Sequence, residues 1–188
     1  MIYCNGIPKS GTHALVRAVT LLGFRSTEVI QGHYDIKHRD LPKAMQARGF
    51  IHIKRNPRNI MISWLRYRNF PLTKEELIKT FNRYHYHPIY TLFARYERFL
   101  SDGTLVVRFE DLFSDGGDSL QRIADKLDVS VPKNAYDEIE GKTITFKEVH
   151  SNWQDYPDLW DDSIEEEWIK ARGPEIEKIW GYTYKGTH

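Results

Sequence analysis

The first 22 residues constrain the fold of this chain more than any other stretch. Residues 1–6 are mostly apolar and strand-forming, and the loop that follows contains glycine, proline and serine. After the loop, apolar residues recur at helical spacing, at Leu15, Ala18, Val19 and Leu22. The pattern predicts a strand, a tight loop and a helix. Such a loop presents backbone N–H groups at the positive end of the helix dipole, and it therefore favours a bound phosphate or sulfate.

This loop differs from the Walker A motif of nucleotide-binding proteins. The Walker A motif has a lysine and a serine or threonine directly after its last glycine, whereas Thr12 and His13 follow Gly11 here. The lysine of this chain, Lys9, lies inside the loop instead. The alternative to an anion site is an ordinary Gly/Pro turn that only joins a strand to a helix.

The length and charge of the chain predict a single domain, residues 1–188, with a local anion site. The sequence contains 27 Lys and Arg and 26 Asp and Glu, so no overall field attracts nucleic acid or an anionic membrane. Its single cysteine, Cys4, excludes an intramolecular disulfide and indicates a reducing compartment. No apolar run is long enough for a transmembrane helix, and the first residues do not read as a signal peptide, so we expect a cytoplasmic protein.

Strands and helices alternate along the rest of the chain. Further strands are predicted at 24–30, 50–54 and 105–109, with helical apolar periodicity between them. Helix starts are indicated by Asn56 with Pro57, by Thr73 with Glu76, and by Ser163 with Glu166. This alternation predicts an α/β fold, a three-layer sandwich with a mostly parallel central sheet and a P-loop-like nucleotide-binding core.

Two other groups of residues bear on ion binding. His85 and His87 have i, i+2 spacing, which does not bring two ligands to one helical face, so we predict no metal site. Arg58, Arg66 and Arg68 make the predicted helix after residue 56 basic. They leave open an alternative function, a non-catalytic nucleotide- or polyanion-binding module.

Residues 8–12, Pro-Lys-Ser-Gly-Thr, resemble the 5′-phosphosulfate loop of the sulfotransferases that use 3′-phosphoadenosine 5′-phosphosulfate (PAPS). The residues that this resemblance assigns to the 5′-phosphosulfate are Pro8, Lys9, Ser10, Gly11, Thr12 and His13. It also implies that Lys9 is catalytic and donates to the oxygen that bridges phosphorus and sulfur. Ala14 stands where the family has a tryptophan, so the aromatic contact to adenine must come from elsewhere.

A second match follows the strand 50–54. Arg55-Asn56-Pro57 and the later Ser63 resemble the family's 3′-phosphate signature. The step from Asn56 to Ser63 is about two helical turns, so the Arg55 guanidinium and the Ser63 hydroxyl can converge on one phosphate. The alternative is a surface arginine and an ordinary helix-face serine.

Two further stretches extend the resemblance over nearly the whole chain. Residues 106–112 resemble the family's Tyr-Glu-Asp-Leu stretch, with Phe109 in place of tyrosine, and we interpret them as mainly structural. Residues 146–153 lie where the family has Arg-Lys-Gly followed by Gly-Asp-Trp, and only Lys147 and Trp153 match well. The resemblance implies that Lys147 also binds the nucleotide.

These matches imply a sulfotransferase that moves a sulfuryl group by in-line transfer from PAPS to a hydroxyl or amine. The acceptor would be a small molecule or a glycan, the product adenosine 3′,5′-bisphosphate, and no metal, nucleic acid or membrane span would take part.

His33 is the candidate general base, because it follows a strand that should end at the same sheet edge as the loop. His38 is the second candidate. A P-loop small-molecule kinase is the alternative enzyme.

Overall fold

The computed structural model describes residues 1–33, 44, 46–47, 49–98, 100, 104–139 and 152–183. Its strands are β1 (Ile2–Asn5), β2 (Val29–Gly32), β3 (Gly49–Lys54) and β4 (Leu105–Arg108). They form a parallel sheet in the order β2-β1-β3-β4. Ile2 pairs with both Val29 and Gly49, and Ile51 pairs with Leu105. The predicted α/β class with a parallel central sheet is confirmed.

Helices follow β1, β3 and β4 in the described part of the chain. They are α1 (Thr12–Leu21), α2 (Pro57–Tyr67), α3 (Lys74–Asn82), α4 (Ile89–Glu97), α5 (Asp118–Leu127), α6 (Ala135–Ile139), α7 (Asp162–Lys170) and α8 (Gly173–Trp180). Short 3-10 turns cover Ser26–Glu28, Asp111–Phe113 and Trp153–Asp155. None of these helices has the length and apolarity that crossing a membrane requires, in the part of the chain that is described.

The chain divides into two compact units. The first comprises Met1–Arg55 and Leu100–Val149 and contains the sheet. The second comprises Asn56–Phe99 and His150–His188 and is helical in its described part. The organisation of residues 1–188 as one domain stays a prediction.

The core of the first unit lies between the sheet and helices α1 and α5. Cys4, Leu15, Ile51, Val107 and Ile123 are fully buried there. Burial raises the pKa of the Cys4 thiol, so the thiol stays protonated and packs as a small apolar side chain. Burial of each larger apolar side chain contributes about 1.5–3 kcal/mol to the stability of this core.

The core of the second unit is aromatic. The ring centroid of Trp160 lies 5.7 Å from that of Phe81 and 5.5 Å from that of Trp168, and Phe93 lies 5.0 Å from Trp180. These rings meet at inclined or edge-on angles, which is the arrangement that their quadrupoles favour. The contacts pack α3, α4, α7 and α8 against one another.

The strand predicted at 24–30 begins later than expected. Ser26–Glu28 forms a 3-10 turn, because Glu28 Oε2 accepts a hydrogen bond from the Arg25 N–H at 2.9 Å and closes the chain locally. Strand β2 therefore begins only at Val29, and it continues to Gly32. The prediction was wrong for residues 24–28 and correct for the presence of a strand before His33.

Two of the predicted helix caps are confirmed. Asn56 Oδ1 accepts from the Arg58 N–H at 2.9 Å at the start of α2, where Pro57 occupies the first helical position. Thr73 Oγ1 accepts from the Glu76 N–H at 3.3 Å at the start of α3. Each bond satisfies one of the backbone N–H groups that a helix start leaves without a helical partner.

The cap predicted at Ser163 was wrong. Helix α7 is capped by Asp161, whose Oδ1 accepts from the Ile164 N–H at 3.3 Å. The Ser163 hydroxyl lies inside the helix and donates to the same Oδ1 at 2.6 Å. A carboxylate is the stronger acceptor, and its negative charge is stabilised at a helix N-terminus, so it takes the capping position.

Candidate nucleotide-binding site

The loop between β1 and α1 is a tight turn, as the sequence predicts. The Ser10 N–H donates to the Ile7 carbonyl at 2.9 Å, and both residues are buried together with Pro8. Lys9 has a φ of 70° and Gly11 a φ of 105°, so both lie in the left-handed region. For a lysine this backbone conformation costs about 1–3 kcal/mol, and such strain clusters at functional sites.

Glycine is required at both ends of this loop. A Cβ at Gly11 would lie 2.2 Å from Phe109 Cδ2, and a Cβ at Gly6 would lie 2.3 Å from Ser10 Oγ. Both distances are far shorter than van der Waals contact, so the two positions exclude any side chain. The loop consequently packs directly onto the Phe109 ring, which itself is buried.

The Ser10 hydroxyl makes the loop a candidate ligand site. Its Oγ is buried and has no hydrogen-bond partner among the described residues. A buried polar atom in that condition costs about 1–3 kcal/mol, which a ligand contact would recover. Gly11 is the N-cap of α1 and has no side chain with which to satisfy the first N–H groups of the helix. This hydroxyl and these N–H groups together suit the oxygens of a phosphate or sulfate.

Three basic side chains gather at the loop. Arg55 Nη1 donates to the Lys9 carbonyl at 3.3 Å. Burial, and after it the charge of Arg55, lowers the pKa of Lys9. Burial, and after it the charge of Lys9, lowers the pKa of His13. Arg55 therefore disfavours the charge of Lys9, and Lys9 that of His13, and an anion bound beside them would relieve this repulsion.

Phe109 supports both the loop and Arg55. The Arg55 guanidinium is buried, and its Cζ lies 4.4 Å from the Phe109 ring centroid. The Phe109 N–H donates to the Lys54 carbonyl at 2.7 Å. Sequence analysis assigned this stretch a structural role and missed the contact with Arg55. This contact could have been predicted from the sequence, because Phe109 directly follows β4 and Arg55 directly follows β3. Parallel strands end at one edge of a sheet, so residues that follow them lie close together.

His33 lies at the same loop. It is exposed, it directly follows β2, and its Nδ1 bonds to the Gly6 carbonyl at 2.7 Å. A carbonyl only accepts, so Nδ1 carries the proton and Nε2 is the acceptor nitrogen of the neutral ring. A general base needs this tautomer. His38, the second candidate, lies outside the described residues.

Two polar side-chain pairs that sequence analysis missed involve Thr12, directly after the loop, and Asn5, directly before it. Gln31 Nε2 donates to Thr12 Oγ1 at 2.9 Å, and Asn5 Nδ2 donates to His52 Nδ1 at 3.2 Å. Burial, and after it the charge of Lys54, lowers the pKa of His52 to about 3, so this ring is neutral. Polar residues within otherwise apolar strands are the signal by which such pairs could be found.

The other residues assigned to the nucleotide are not joined to the loop by the described contacts. Ser63 is half-buried in α2, about 10 Å along the helix from Asn56. It belongs to the second unit, whereas Arg55 belongs to the first. A shared contact of Arg55 and Ser63 with a 3′-phosphate stays a prediction. Lys147 lies outside the described residues.

Arg58 does not contribute to a basic surface, contrary to the polyanion hypothesis. It is 1 % exposed, and its Nη1 and Nη2 donate to Glu165 at 2.7 and 2.9 Å. Its Nε donates to Glu177 at 2.7 Å. Two carboxylates from α7 and α8 therefore neutralise this arginine inside the protein. Arg66 and Arg68 are exposed, as expected.

The two neighbouring histidines lie in a turn and not on a helix. His85 has a φ of 47°, and His87 Nε2 accepts from Arg95 Nη1 at 3.0 Å. Among the described residues, no group of three or more His, Cys, Asp or Glu could hold a metal ion. The absence of a metal from the function stays a prediction.

Comparison with known proteins bears on the fold. No protein-family model matches this sequence, and no curated protein matches it. The crystal structure of mouse sulfotransferase SULT7A1 complexed with PAP matches with a TM-score of 0.69 at 15 % sequence identity. The match covers 94 % of this chain and 83 % of that chain. This likeness confirms the predicted three-layer α/β sandwich with a P-loop-like core, and the chain therefore has the fold of a sulfotransferase.

Proposed function

We propose that this chain is a sulfotransferase that moves a sulfuryl group from PAPS to a hydroxyl or amine of an acceptor. The observation that carries the proposal is the loop of residues 8–13. It combines the buried Ser10 hydroxyl, the start of α1 and the basic side chains of Lys9, His13 and Arg55. The likeness to a sulfotransferase structure complexed with PAP supports the same class of nucleotide.

In the proposed reaction the loop binds the 5′-phosphosulfate through backbone N–H groups and the hydroxyls of Ser10 and Thr12. An acceptor oxygen or nitrogen attacks sulfur in line with the oxygen that bridges sulfur and phosphorus. The new bond to sulfur forms as the bridging S–O bond breaks, and the electron pair of that bond stays on the phosphate. Lys9 donates to this oxygen, where negative charge grows, and therefore stabilises the transition state more than the ground state.

His33 takes the proton that the acceptor loses. Its Nδ1–H bond to the Gly6 carbonyl orients the ring and makes Nε2 the nitrogen that would take the proton. The ring becomes an imidazolium while its bond to Gly6 persists. The proposed base therefore contacts the backbone of Gly6, the residue at which the loop begins.

Arg55, Ser63 and Lys147 are proposed to bind the 3′-phosphate of the nucleotide. Arg55 is held before binding by its bond to the Lys9 carbonyl and by the Phe109 ring, which reduces the entropy that it loses on binding. Its guanidinium would supply the strongest, charge-assisted contact. The acceptor is proposed to be a small molecule or a glycan.

The proposal is tested by following the sulfur itself. Purified protein is incubated with PAPS that carries radioactive sulfur and with fractionated acceptor extracts, and the product that gains the label is identified. Transfer of label together with release of adenosine 3′,5′-bisphosphate is expected. Binding of adenosine 3′,5′-bisphosphate without any transfer across all fractions would support the non-catalytic module instead.

Lys9→Ala separates catalysis from binding in this assay. We expect kcat to fall by about 10²-fold or more, with affinity for adenosine 3′,5′-bisphosphate within several-fold of wild type. Lys170→Ala, at an exposed lysine of α7, is the matched control and should leave both unchanged. If Lys9→Ala abolished binding and preserved kcat, Lys9 would be an anchor only.

A further inference from the structure

One surface of the second unit collects most of the exposed apolar side chains. Six large apolar side chains are exposed in the described part of the chain, and four of them lie at 67–72 and 83–86. Exposed apolar residues that are scattered singly need no explanation, whereas a contiguous group marks a surface that meets something else. We call this surface the aromatic-basic face, and its members are Trp64, Tyr67, Arg68, Phe70, Arg83 and Tyr86.

The end of helix α2 and the residues after it form one half of this face. The Tyr67 ring centroid lies 6.3 Å from that of Trp64, and Tyr67 is 58 % exposed. Arg68 Cζ lies 5.6 Å from the ring centroids of both Trp64 and Phe70. A guanidinium can lie over such rings and still keep its charge at the surface. This half therefore combines rings and positive charge in one place.

A strained turn presents the other half. His85 has a φ of 47° and Tyr86 a φ of 72°, a region that bulky side chains rarely adopt. Tyr86 is 77 % exposed, and Arg83 Cζ lies 5.9 Å from its ring centroid. The His85 ring lies 5.6 Å from that of Trp64 and 5.8 Å from that of Tyr86, so the two halves adjoin in space. Backbone strain that holds a ring out in solvent points to a functional contact.

The face is basic over its whole extent. Residues 41–74 and 77–96 contain no Asp or Glu. Between these two ranges, Glu75 and Glu76 are paired with Lys79 at 2.8 and 2.7 Å. No carboxylate among the described residues forms an ion pair with Arg68 or Arg83. The two guanidinium groups therefore offer positive charge that an anionic partner can pair.

The face ends at Leu72. This residue lines a groove of about 410 Å³ together with Lys74, Asp155 and Asp158. Lys74 is itself paired with Asp161, so the groove has an excess of negative charge. An anionic surface would be repelled there, and we place the groove outside the contact.

We propose that the aromatic-basic face docks this protein on the surface of an anionic phospholipid bilayer. The rings of Tyr67, Phe70 and Tyr86 would lie at the level of the headgroups, where amphipathic aromatic side chains are stable. Arg68 and Arg83 would pair with the headgroup phosphates and carboxylates, because a guanidinium binds both in bidentate geometry. None of these residues belongs to the loop of residues 8–13, so the proposal does not depend on sulfuryl transfer.

A bilayer fits this face better than an acidic protein does. The charged side chains of the face are all positive, whereas the surface of a folded partner mixes both signs. A leaflet that contains phosphatidylserine presents anionic groups at every point. Rings that fill a protein interface also need matching pockets in the partner, and a fluid leaflet accepts rings from two separate segments without them. Because the net charge of the chain is only +1, we expect reversible binding that weakens as salt rises.

Co-sedimentation with vesicles tests the docking. Wild type is mixed with vesicles of phosphatidylcholine and phosphatidylserine in a ratio of about 2:1, and separately with vesicles of phosphatidylcholine alone. We expect binding to the first vesicles that weakens with added salt, and much weaker binding to the second. Wild type that binds neither kind at low salt would overturn the proposal. Equal binding to both kinds would overturn it as well, because the arginines would then have no role.

Neutral substitutions test the two arginines. Arg68→Gln and Arg83→Gln should each weaken binding to the anionic vesicles by about fivefold, and the double variant by about 25-fold. Arg172→Gln is the matched control. Arg172 Cζ also lies over a tyrosine ring, 3.5 Å from the centroid of Tyr90, but its Nε already donates to Glu175 at 2.9 Å. Unchanged binding of the Arg68/Arg83 double variant would refute the docking by this face.

Tyr86→Asn tests the exposed ring. Asparagine tolerates the left-handed region, so the variant should keep the melting temperature of wild type while its binding to the anionic vesicles falls several-fold. Ile169→Asn is the control, because Ile169 is an exposed apolar residue of α7, which contributes no member of the face. Full binding by Tyr86→Asn would contradict the entry of its ring. Retention of wild type on immobilised polyglutamate without any vesicle binding would assign the face to an acidic protein and overturn the proposal.

Discussion

At the scale of the residue, the position of one proton decides whether His33 can act as a base. The bond to the Gly6 carbonyl places that proton on Nδ1, so Nε2 is the acceptor nitrogen of the neutral ring. We expect His33→Ala to lower kcat by about 10²- to 10⁴-fold with unchanged affinity for adenosine 3′,5′-bisphosphate. The acidic limb of the pH–rate profile should also disappear, because a protonated imidazole cannot accept the proton and this variant has none. Steady-state kinetics across pH measure both effects.

His38→Ala is the comparison for this experiment. It should retain near-normal turnover if His33 is the base. An active His33→Ala enzyme beside an inactive His38→Ala enzyme would transfer the role to His38.

The proposed contact of Arg55 with the 3′-phosphate is tested by comparing the affinities of two nucleotides. A hydrogen bond to a charged group is worth about 1.5–3 kcal/mol, so Arg55→Ala should weaken adenosine 3′,5′-bisphosphate binding by about 10- to 150-fold. Adenosine 5′-phosphate lacks the 3′-phosphate, and its affinity should change much less. Ser63→Ala should show the same trend with a smaller loss, because a neutral hydroxyl makes the weaker bond. Titration calorimetry with both nucleotides measures the ratio, and equal losses for the two would remove Arg55 from this role.

Single residues of the loop could be predicted because the physics that selects them is local. The left-handed residue directly before α1 is Gly11, where glycine costs least, and an anion there needs nearby donors and a cation. The burial of Arg58 between two carboxylates could not be predicted in the same way. Its carboxylate partners lie 107 and 119 positions further along the chain, and nothing within its own helix indicates that it is buried.

At the scale of the element, that buried network ties three helices of the second unit together. Arg58 of α2 bonds to Glu165 of α7 and Glu177 of α8, and Trp160 Nε1 donates to Glu165 Oε2 at 3.0 Å. With both carboxylates ionised, the network would carry one excess negative charge. Burial raises the pKa of Glu177 above its ordinary 4.5, and the bond to Arg58 opposes this shift without cancelling it.

This pKa shift predicts how stability depends on pH. Between pH 4.5, the ordinary pKa of Glu177, and its raised folded value, the native state binds more protons than the unfolded chain. The free energy of unfolding should therefore fall as pH rises through this window. Glu177→Gln should flatten that fall, because the amide does not ionise. Urea unfolding at a series of pH values measures the slope.

Glu175→Gln provides the matched control for the pH experiment. Glu175 is exposed on the same helix, and its hydrogen bond to Arg172 lowers its pKa, so it does not contribute to a fall above pH 4.5. This control should keep the wild-type slope. A Glu177→Gln protein with that same slope would show that Glu177 does not hold the proton.

Most elements followed from periodicity and capping, and the misplaced boundaries have local causes. The Asn56 and Thr73 caps could be predicted because each residue bonds within its own first turn. Strand β2 begins later than predicted because the Arg25 N–H bonds to Glu28. The resulting turn takes the place of strand pairing before Val29. The cap of α7 was assigned to Ser163 because Glu166 lies three residues later, and the pattern overlooked Asp161, whose carboxylate accepts from the Ile164 N–H.

At the scale of the whole molecule, ligand binding should appear as thermal stabilisation. A nucleotide at 100 times its dissociation constant stabilises the folded state by about 2.7 kcal/mol, which raises Tm by several degrees for a chain of this length. We expect this shift with adenosine 3′,5′-bisphosphate and not with MgATP at equal concentration. Scanning calorimetry measures it. Equal shifts with both ligands would favour the kinase alternative, and a single cooperative transition would support one domain.

Because Cys4 is buried, the rate at which it reacts with a thiol reagent measures local opening of the protein. The thiol lies within β1, and the chain has no other cysteine. A thiol reagent can therefore react only when the sheet of the first unit opens, and the second unit contributes no signal. The labelling rate reports how often β1, the strand before the loop of residues 8–13, separates from the sheet. Its slowing on addition of a nucleotide would count, event by event, the openings that the bound ligand prevents.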